Sequence, residues 1–307
     1  MILTVCMSPC TDVTIELDTL RVGKTNVVKS KNVTYAGKAL NVALGVARLG
    51  GEACVTGVMY NENGYMFENM LGKEGIGFTF AWNEGRAREN YKFIDKRSML
   101  TEVNDVGTDV DEQKLLEVLE YVKAYSARSD VTVLSGGLPR NVDASFYGEM
   151  VKAVDKNSLK IVDALGGRML AALREGVDLV KPNLDELQHT LGRVFTDKED
   201  MLSGCYELID RGAKCVLLSL GKNGAVITDG TESYHCKSKN VALNSTVGAG
   251  DGMVAAASLM LEKGAPLPEI LHAGVAAGTA TVMTNGQNSF TRENYDEVYK
   301  AIQVNRI

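Results

Sequence analysis

The sequence has few histidines, and its histidines and cysteines form no cluster along the chain. Its three histidines, His189, His235 and His272, lie far apart, so neither a histidine-based catalytic triad nor a histidine metal cluster has support. The six cysteines are also scattered, with no Cys-x-x-Cys pair and no zinc-like spacing to a histidine. We interpret them as structural core or surface thiols.

Long apolar runs and blocks of like charge are absent as well. No apolar run approaches the roughly 18 residues of a membrane span, and the start of the chain lacks the basic segment and longer apolar core of a signal peptide. A net charge of −6 and a pI near 5.3 give no footprint for nucleic acid or an anionic membrane. We therefore expect a cytoplasmic protein without nucleic-acid or membrane partners, in which a local basic cluster holds any anionic ligand.

The 307 residues, 45% of them hydrophobic, can bury a large core. From about residue 37 onward, short β-rich runs alternate with amphipathic stretches, which predicts an α/β fold with helices on both faces of a mostly parallel sheet. Residues 1–6 read as a first strand. Further strands are predicted at 53–58, 77–81, 130–134, 159–163, 177–180, 214–219 and 224–228. Helices are predicted at 38–49, 63–73, 111–125, 143–155, 183–192, 197–211, 251–263, 266–284 and 293–303.

Two regions depart from this alternation. Residues 11–18, 27–35 and 90–103 carry β-prone residues without intervening helices, which predicts a small antiparallel sheet inserted at about 11–35 and 88–104. We expect this sheet to act as a lid over the carboxyl ends of the main strands. No linker is long enough to separate two domains, so we expect one domain over residues 1–307.

The segment 244–252 combines glycines and one carboxylate just before an apolar run. Backbone N–H groups at a helix start would then face the same point as Asp251, as a phosphate site requires. An aspartate at this place is also a favoured helix cap, and the segment alone leaves the two interpretations even.

Two familiar nucleotide loops are excluded. Gly23-Lys24-Thr25 resembles the end of a P-loop, but the glycine required five positions earlier is Asp18. The dinucleotide fingerprint fails because Met253 stands where its third glycine is required.

A second glycine-marked helix start occurs at Gly37-Lys38, with Asn41 in its first turn. Together with Gly248-Ala249-Gly250-Asp251, it resembles the two signatures of the ribokinase-like sugar kinases of the PfkB family. The same family order continues through most of the chain, in Ser8 to Asp12, Ser135 to Pro139, Lys181 to Leu187 and Ser219 to Ala225. The resemblance implies a ribokinase-like three-layer α/β/α domain with a β lid.

Within the family, the chain is most similar to the branch that phosphorylates hexose phosphates, which comprises the 1-phosphofructokinases and tagatose-6-phosphate kinases. The resemblance implies that Asp251 is the general base and that the Gly248, Ala249, Gly250 and Asp251 loop forms an anion hole. These roles suit phosphoryl transfer, which needs an aligned hydroxyl, a proton acceptor and neutralised oxygens. The resemblance assigns the acceptor sugar to Asp12, Lys24, Gly37, Lys38, Asn41 and Arg88.

The ATP side follows from the same resemblance, which assigns it to Lys181, Asn183, Ser219, Gly221 and Gly224. Asn183 and Glu186 share one helix face, a spacing that suits a hydrated Mg²⁺ held by Glu186 through water. From spacing alone, an exposed polar helix face is the commoner explanation. A monovalent cation is a further candidate cofactor.

Several departures from the family pattern leave the acceptor open. Ser8, Cys10, Ala36, Ala39 and Gly137 replace residues usual at sugar-facing or neighbouring positions, and segment 102–107 also differs.

We therefore expect an ATP- and Mg²⁺-dependent kinase of a ketohexose phosphate, with fructose 1-phosphate first and tagatose 6-phosphate or fructose 6-phosphate behind it. A kinase of an unphosphorylated sugar or nucleoside is the next alternative, followed by a catalytically silent sugar-phosphate sensor. An apolar lid face predicts a homodimer formed through the lid. The reacting hydroxyl and the pathway stay open.

Overall fold

The computed structural model describes residues 1–241, 247–284 and 290–307 and contains two sheets in those ranges. The strands of the large sheet are β1 (Ile2–Cys6), β4 (Ala53–Tyr60), β5 (Gly77–Asn83), β8 (Val131–Ser135), β9 (Leu159–Asp163), β10 (Leu179–Val180), β11 (Val216–Ser219), β12 (Ala225–Thr228), β13 (Ser233–Cys236) and β14 (Val304–Arg306). Those of the small sheet are β2 (Cys10–Leu17), β3 (Val28–Ala36), β6 (Arg88–Ile94) and β7 (Leu100–Asn104).

The large sheet has the order β14-β13-β12-β11-β10-β9-β8-β1-β4-β5. Strands β11 through β5 in this order are parallel. Both β1 and β4 are buried along their whole length, as expected for apolar strands covered on both faces. The predicted mostly parallel α/β sheet is confirmed.

Helices cover the sheet. They are α1 (Lys38–Arg48), α2 (Gly64–Lys73), α3 (Glu112–Ser126), α4 (Phe146–Ala153), α5 (Gly167–Leu173), α6 (Leu184–Leu191), α7 (Lys198–Asp210), α8 (Ala249–Glu262), α9 (Leu267–Met283) and α10 (Arg292–Ala301). The apolar helices α8 and α9 pack against each other and are largely buried. A burial this complete explains why neither helix carries a polar face.

Three short elements were missed by the sequence analysis. Strands β13 and β14 extend the antiparallel edge that begins with β11 and β12, but they have four and three residues and carry no alternating pattern. Helix α5 has seven residues and no side-chain cap. Elements this short are stabilised by tertiary packing rather than by local propensity, so the local sequence does not reveal them.

The predicted small sheet is present, with the order β3-β2-β6-β7. Its outer pairs are antiparallel, whereas the central pair β2 and β6 is parallel. This pairing follows from the connections, because β2 and β6 leave the same edge of the parallel sheet just after β1 and β5. The small sheet therefore rises from the edge at which the parallel strands end.

All six cysteines are free and buried, so of the two interpretations, core or surface thiols, the structure agrees with buried thiols. Among the helices of the described ranges, none has the length and apolar character needed to cross a membrane.

Candidate active site

A cavity of about 890 Å³ lies along the carboxyl ends of the parallel strands. Residues that follow β1, β8, β10 and β11 line it, together with the first turns of α1 and α8 and one face of the small sheet. Open α/β sheets bind their ligands at this edge. The residues that resembled the PfkB signatures meet here because each ends a strand or begins a helix.

Asp251 is buried on the cavity wall, with 5% of its surface exposed. It is the third residue of α8, and the cap position belongs to Gly248, with no side-chain cap bond. Instead, Oδ2 of Asp251 accepts a 2.7 Å hydrogen bond from Nδ2 of Asn41. Asp251 is therefore not the cap of α8. Its carboxylate instead belongs to the wall of the cavity.

Burial, and then the nearby Asp163 carboxylate, raise the pKa of Asp251 to about 6. Lys38, the Asn41 hydrogen bond and Lys181 oppose this rise. A carboxylate with a pKa near neutrality is ionised at pH 7 and yet a better proton acceptor than an ordinary aspartate. The environment thus suits Asp251 for accepting a proton.

The start of α8 brings backbone donors to the same place. The first N–H groups of a helix lack acceptors within it, and here they belong to Ala249, Gly250 and Asp251. Gly248 has φ +82°, a conformation that favours glycine. A Cβ on Gly250 would lie 3.2 Å from Nζ of Lys181, so glycine also leaves room for that lysine. The preceding motif residues Asn244, Ser245 and Thr246 lie outside the described residues.

Asp163 is an acidic centre of the site that the sequence analysis missed. Its Oδ1 lies 3.3 Å from Nζ of Lys181, and its Oδ2 lies 3.3 Å from Nζ of Lys38. Ser135 donates a further 3.1 Å hydrogen bond. Burial raises the pKa of Asp163, but the two lysines outweigh it and hold this pKa below its ordinary value. Asp163 therefore stays ionised and orients both lysines at the cavity.

Asn183 and Glu186 begin α6. Their backbone and side chains form a reciprocal capping box, with bonds of 2.8 and 2.9 Å. Oε1 of Glu186 lies 3.5 Å from Nζ of Lys38. Asn183 and Glu186 are thus not simply an exposed polar face of a helix. The capping box uses Oδ1 of Asn183 and Oε2 of Glu186, which leaves Oε1 of Glu186 as the side-chain oxygen that could face a ligand.

On the small sheet, alternate residues of β2 and β6 share the face that lines the cavity. Asp12 accepts hydrogen bonds from Nδ2 of Asn90 at 2.9 Å and from Nζ of Lys92 at 2.8 Å. Arg88 donates from Nε to Oγ of Ser8 at 3.2 Å. Asn90 and Lys92 were not predicted, although their period-two spacing from Arg88 was the available signal.

Lys24 does not reach this site in the single chain. It is exposed in the turn between β2 and β3 and is not part of the cavity wall, because the hairpin extends away from the edge of the main sheet. Gly37, Lys38, Asn41 and Arg88 do line the cavity. Arg140 is exposed and paired with Asp109.

The other end of the cavity contains Ser219, Gly221 and Gly224. A Cβ on Gly224 would approach the carbonyl oxygen of Cys236 to 1.8 Å, so this turn requires glycine. Residues without a sequence signal also line the cavity, among them Ser238, Lys239, Thr279 and Val282.

The described residues contain no group of three or more His, Cys, Asp or Glu side chains that could hold a metal ion. A Mg²⁺ ion bound mainly by water and substrate phosphates needs only one or two carboxylates. Glu186, with Oε1 outside the cap, fits such an ion.

Comparisons with known proteins agree with this geometry. A family model described as pfkB family carbohydrate kinase matches residues 5–294. The 1-phosphofructokinase of Haemophilus influenzae is 26% identical over 312 residues, which cover 100% of this chain and 98% of the relative. The ATP-dependent 6-phosphofructokinase isozyme 2 of Escherichia coli is 30% identical over 267 residues, which cover 86% of both chains.

A solved structure of phosphofructokinase-2 from Escherichia coli in complex with potassium is similar along the whole chain. Its TM-score is 0.91 at 28% identity, with 98% of both chains covered. The three-layer fold and its appended small sheet are therefore shared with this protein, and the predicted fold is confirmed.

Proposed function

Because the chain belongs to the pfkB family of carbohydrate kinases, we propose that it phosphorylates a ketohexose phosphate with ATP. Fructose 1-phosphate is the first choice of acceptor, and fructose 1,6-bisphosphate is then the product. The similarity to a 1-phosphofructokinase over the whole chain supports this choice. Fructose 6-phosphate and tagatose 6-phosphate are the alternatives, the former supported by the 6-phosphofructokinase relative.

The observation that carries the proposal is the environment of Asp251. Its buried carboxylate adjoins the backbone donors of α8 and is held by Asn41, and burial raises its pKa to about 6. A helix cap or a core aspartate would need none of these neighbours at a cavity wall. In phosphoryl transfer to an alcohol, the raised pKa and the fixed orientation favour proton acceptance, and the backbone donors stabilise the transferred oxygens.

In the proposed mechanism, the acceptor hydroxyl oxygen forms a bond to the γ-phosphorus of ATP while the bond to the leaving ADP oxygen breaks. Asp251 receives the hydroxyl proton. The N–H groups of Ala249, Gly250 and Asp251, together with Lys181, stabilise negative charge on the transferred oxygens. Asn41 keeps the carboxylate oriented toward the hydroxyl.

The nucleotide is assigned to the end of the cavity formed by Lys181, Asn183, Ser219, Gly221 and Gly224. A divalent ion, with Mg²⁺ as our choice, would neutralise phosphate charge when bound, and Glu186 would hold it through water. Potassium is the candidate monovalent cation, since the similar Escherichia coli protein binds it.

The acceptor is assigned to the opposite end. Asp12, Gly37 and Asn41 would contact its hydroxyls, while Lys38 and Arg88 supply positive charge. Lys24 could contribute only from another copy of the chain.

We also propose a homodimer formed through the small sheet. Its edge strands expose apolar side chains: Val28 is 48%, Leu100 is 56% and Val103 is 55% exposed. Pairing with the same sheet of a second copy would cover them.

A substrate panel with ADP detection tests the function. We expect turnover with a ketohexose phosphate and much weaker turnover with free sugars and nucleosides. Faster turnover of an unphosphorylated sugar would favour the second alternative. Binding of sugar phosphates without any ADP release would favour a silent sensor.

A further inference from the structure

Arg168 is a cation that the proposed mechanism does not use. It belongs to α5, and its Nη1 lies 3.7 Å from the position that a Cβ of Gly137 would occupy. Its Nε is buried and has no hydrogen-bond partner. Among the residues that the structure describes, no carboxylate forms an ion pair with it. A buried donor without a partner is uncommon in folded proteins and calls for an explanation.

The neighbouring cations differ in this respect. Lys38 and Lys181 are paired with Asp163, and Lys92 is paired with Asp12. Arg88 resembles Arg168 instead, because its bonds go to the neutral side chains of Ser8 and Asn90. Both arginines are partly buried, and partly withdrawing a cation from water without a counter-charge costs free energy. Two such arginines at one place indicate a site for an anion.

Ser8 and Gly137 connect the two arginines. Oγ of Ser8 is 3.2 Å from Nε of Arg88. The same Oγ is 3.9 Å from the Cβ position of Gly137, which in turn is 3.7 Å from Nη1 of Arg168. Ser8 and Gly137 both line the main cavity, while Arg168 lines a second, smaller one of about 350 Å³ whose wall includes the next residue along the chain, Leu138. Position 137 has no side chain, so no Cβ fills the space between Nη1 of Arg168 and Oγ of Ser8 on the wall of the main cavity.

We propose that Arg168 joins Arg88 in binding the phosphate already present on the acceptor sugar, with Ser8 donating between them and Gly137 leaving the path open. This inference rests on the proposed function. Two guanidinium groups and a hydroxyl match the charge and the acceptor oxygens of a phosphate dianion. Arg168 is then a specificity-determining residue, because an unphosphorylated sugar gains nothing from it.

Arg168→Met tests the assignment, with Arg140→Met as the matched control. Arg140 is a nearby exposed arginine paired with Asp109. We expect Arg168→Met to raise the KM for the sugar phosphate roughly 10- to 100-fold, as for a lost charge-assisted hydrogen bond, with an unchanged KM for ATP. Arg140→Met leaves both constants unchanged. An unchanged KM for the sugar phosphate in Arg168→Met, or a rise confined to ATP, would overturn the inference.

Arg168→Lys keeps the positive charge, and it provides the test if Arg168→Met does not fold. We expect it to bind the sugar phosphate with intermediate affinity, since an ammonium cannot replace the guanidinium fork; an affinity equal to that of the native protein would count against the inference. Inorganic phosphate binding, measured by calorimetry on the intact chain, gives a readout independent of turnover. Weaker phosphate binding in Arg168→Met supports the subsite even if no ketohexose phosphate is turned over, and in that case the proposed function alone fails. Equal phosphate binding in both proteins would refute the subsite.

Discussion

Asn41 donates its side-chain N–H to Oδ2 of Asp251 across 2.7 Å. The two residues are 210 positions apart and begin two different helices, α1 and α8. This bond joins the two glycine-marked segments of the sequence at one carboxylate. Oδ1 of Asn41 is buried without a partner, so the amide retains an acceptor at the cavity wall.

Loss of the hydrogen bond between Asn41 and Asp251 should shift the pH dependence of kcat/KM. The bond lowers the pKa of Asp251 against the effect of burial, so Asn41→Leu should raise that pKa above its value of about 6. The acidic limb of kcat/KM, which reports the free enzyme, should move to higher pH. Asn90→Leu is the control, because Asn90 bonds Asp12 instead. An acidic limb that moves equally in both variants would argue against the assignment.

Asp251 should also reduce stability at neutral pH. Its folded pKa of about 6 exceeds the ordinary 3.8, so folding favours the protonated form. The stability gained from that form is complete below about pH 4 and is lost as pH rises through about 6. Asp251→Asn should therefore unfold at a higher temperature than the native protein at pH 8, and its free energy of unfolding should be larger by at most about 3 kcal/mol. The difference should vanish near pH 4; a less stable variant at pH 8 would contradict it.

Glu186→Gln separates metal binding from capping. Glutamine can retain the capping box with Asn183, so the melting temperature should change little. The Mg²⁺ concentration for half-maximal activity should rise about tenfold or more, as for lost metal-site partners. Asp185→Asn, an exposed acid one position earlier on α6, is the matched control. An unchanged Mg²⁺ requirement in Glu186→Gln would remove that residue from the metal site.

A charge at the exposed Val103 of the small sheet should disrupt the proposed homodimer. Val103→Glu should convert a dimer at micromolar concentration into monomer, because the pair of charges would oppose the apolar contact. Val194→Glu, at a position 75% exposed and outside the small sheet, should leave the dimer intact. Light scattering coupled to size exclusion measures both. A native protein that is monomeric under these conditions would contradict the lid dimer.

Much of the fold follows from local sequence. The buried strands β4 and β8 and the long helices α8 and α9 are recognisable from apolar runs and caps. The proposed catalytic carboxylate was recognisable because Gly248, Gly250 and Asp251 lie together in sequence. Local patterns fail for β13, β14 and α5, whose few residues are stabilised by neighbours distant in the chain.

Side chains that act through tertiary contacts were not predictable in the same way. Asp163 ends an ordinary buried strand, and its role appears only when Lys38 and Lys181 pack around it. Arg168 lies on the unpredicted α5. Lys24 is the opposite case, because this basic residue lies near the right motif in sequence but is exposed in a hairpin turn and does not line the cavity of its own chain. Sequence spacing gives the chemistry of a residue, but the fold decides which groups it meets.

The most direct test measures fructose 1,6-bisphosphate and ADP formed from fructose 1-phosphate and ATP by the native protein and by Asp251→Asn. We expect equal amounts of both products from the native protein. In the folded variant we expect turnover lower by roughly 10²- to 10⁴-fold, as for a lost general base. Near-normal turnover by the variant would exclude Asp251 as the base, and no turnover of any ketohexose phosphate by the native protein would exclude the proposed reaction.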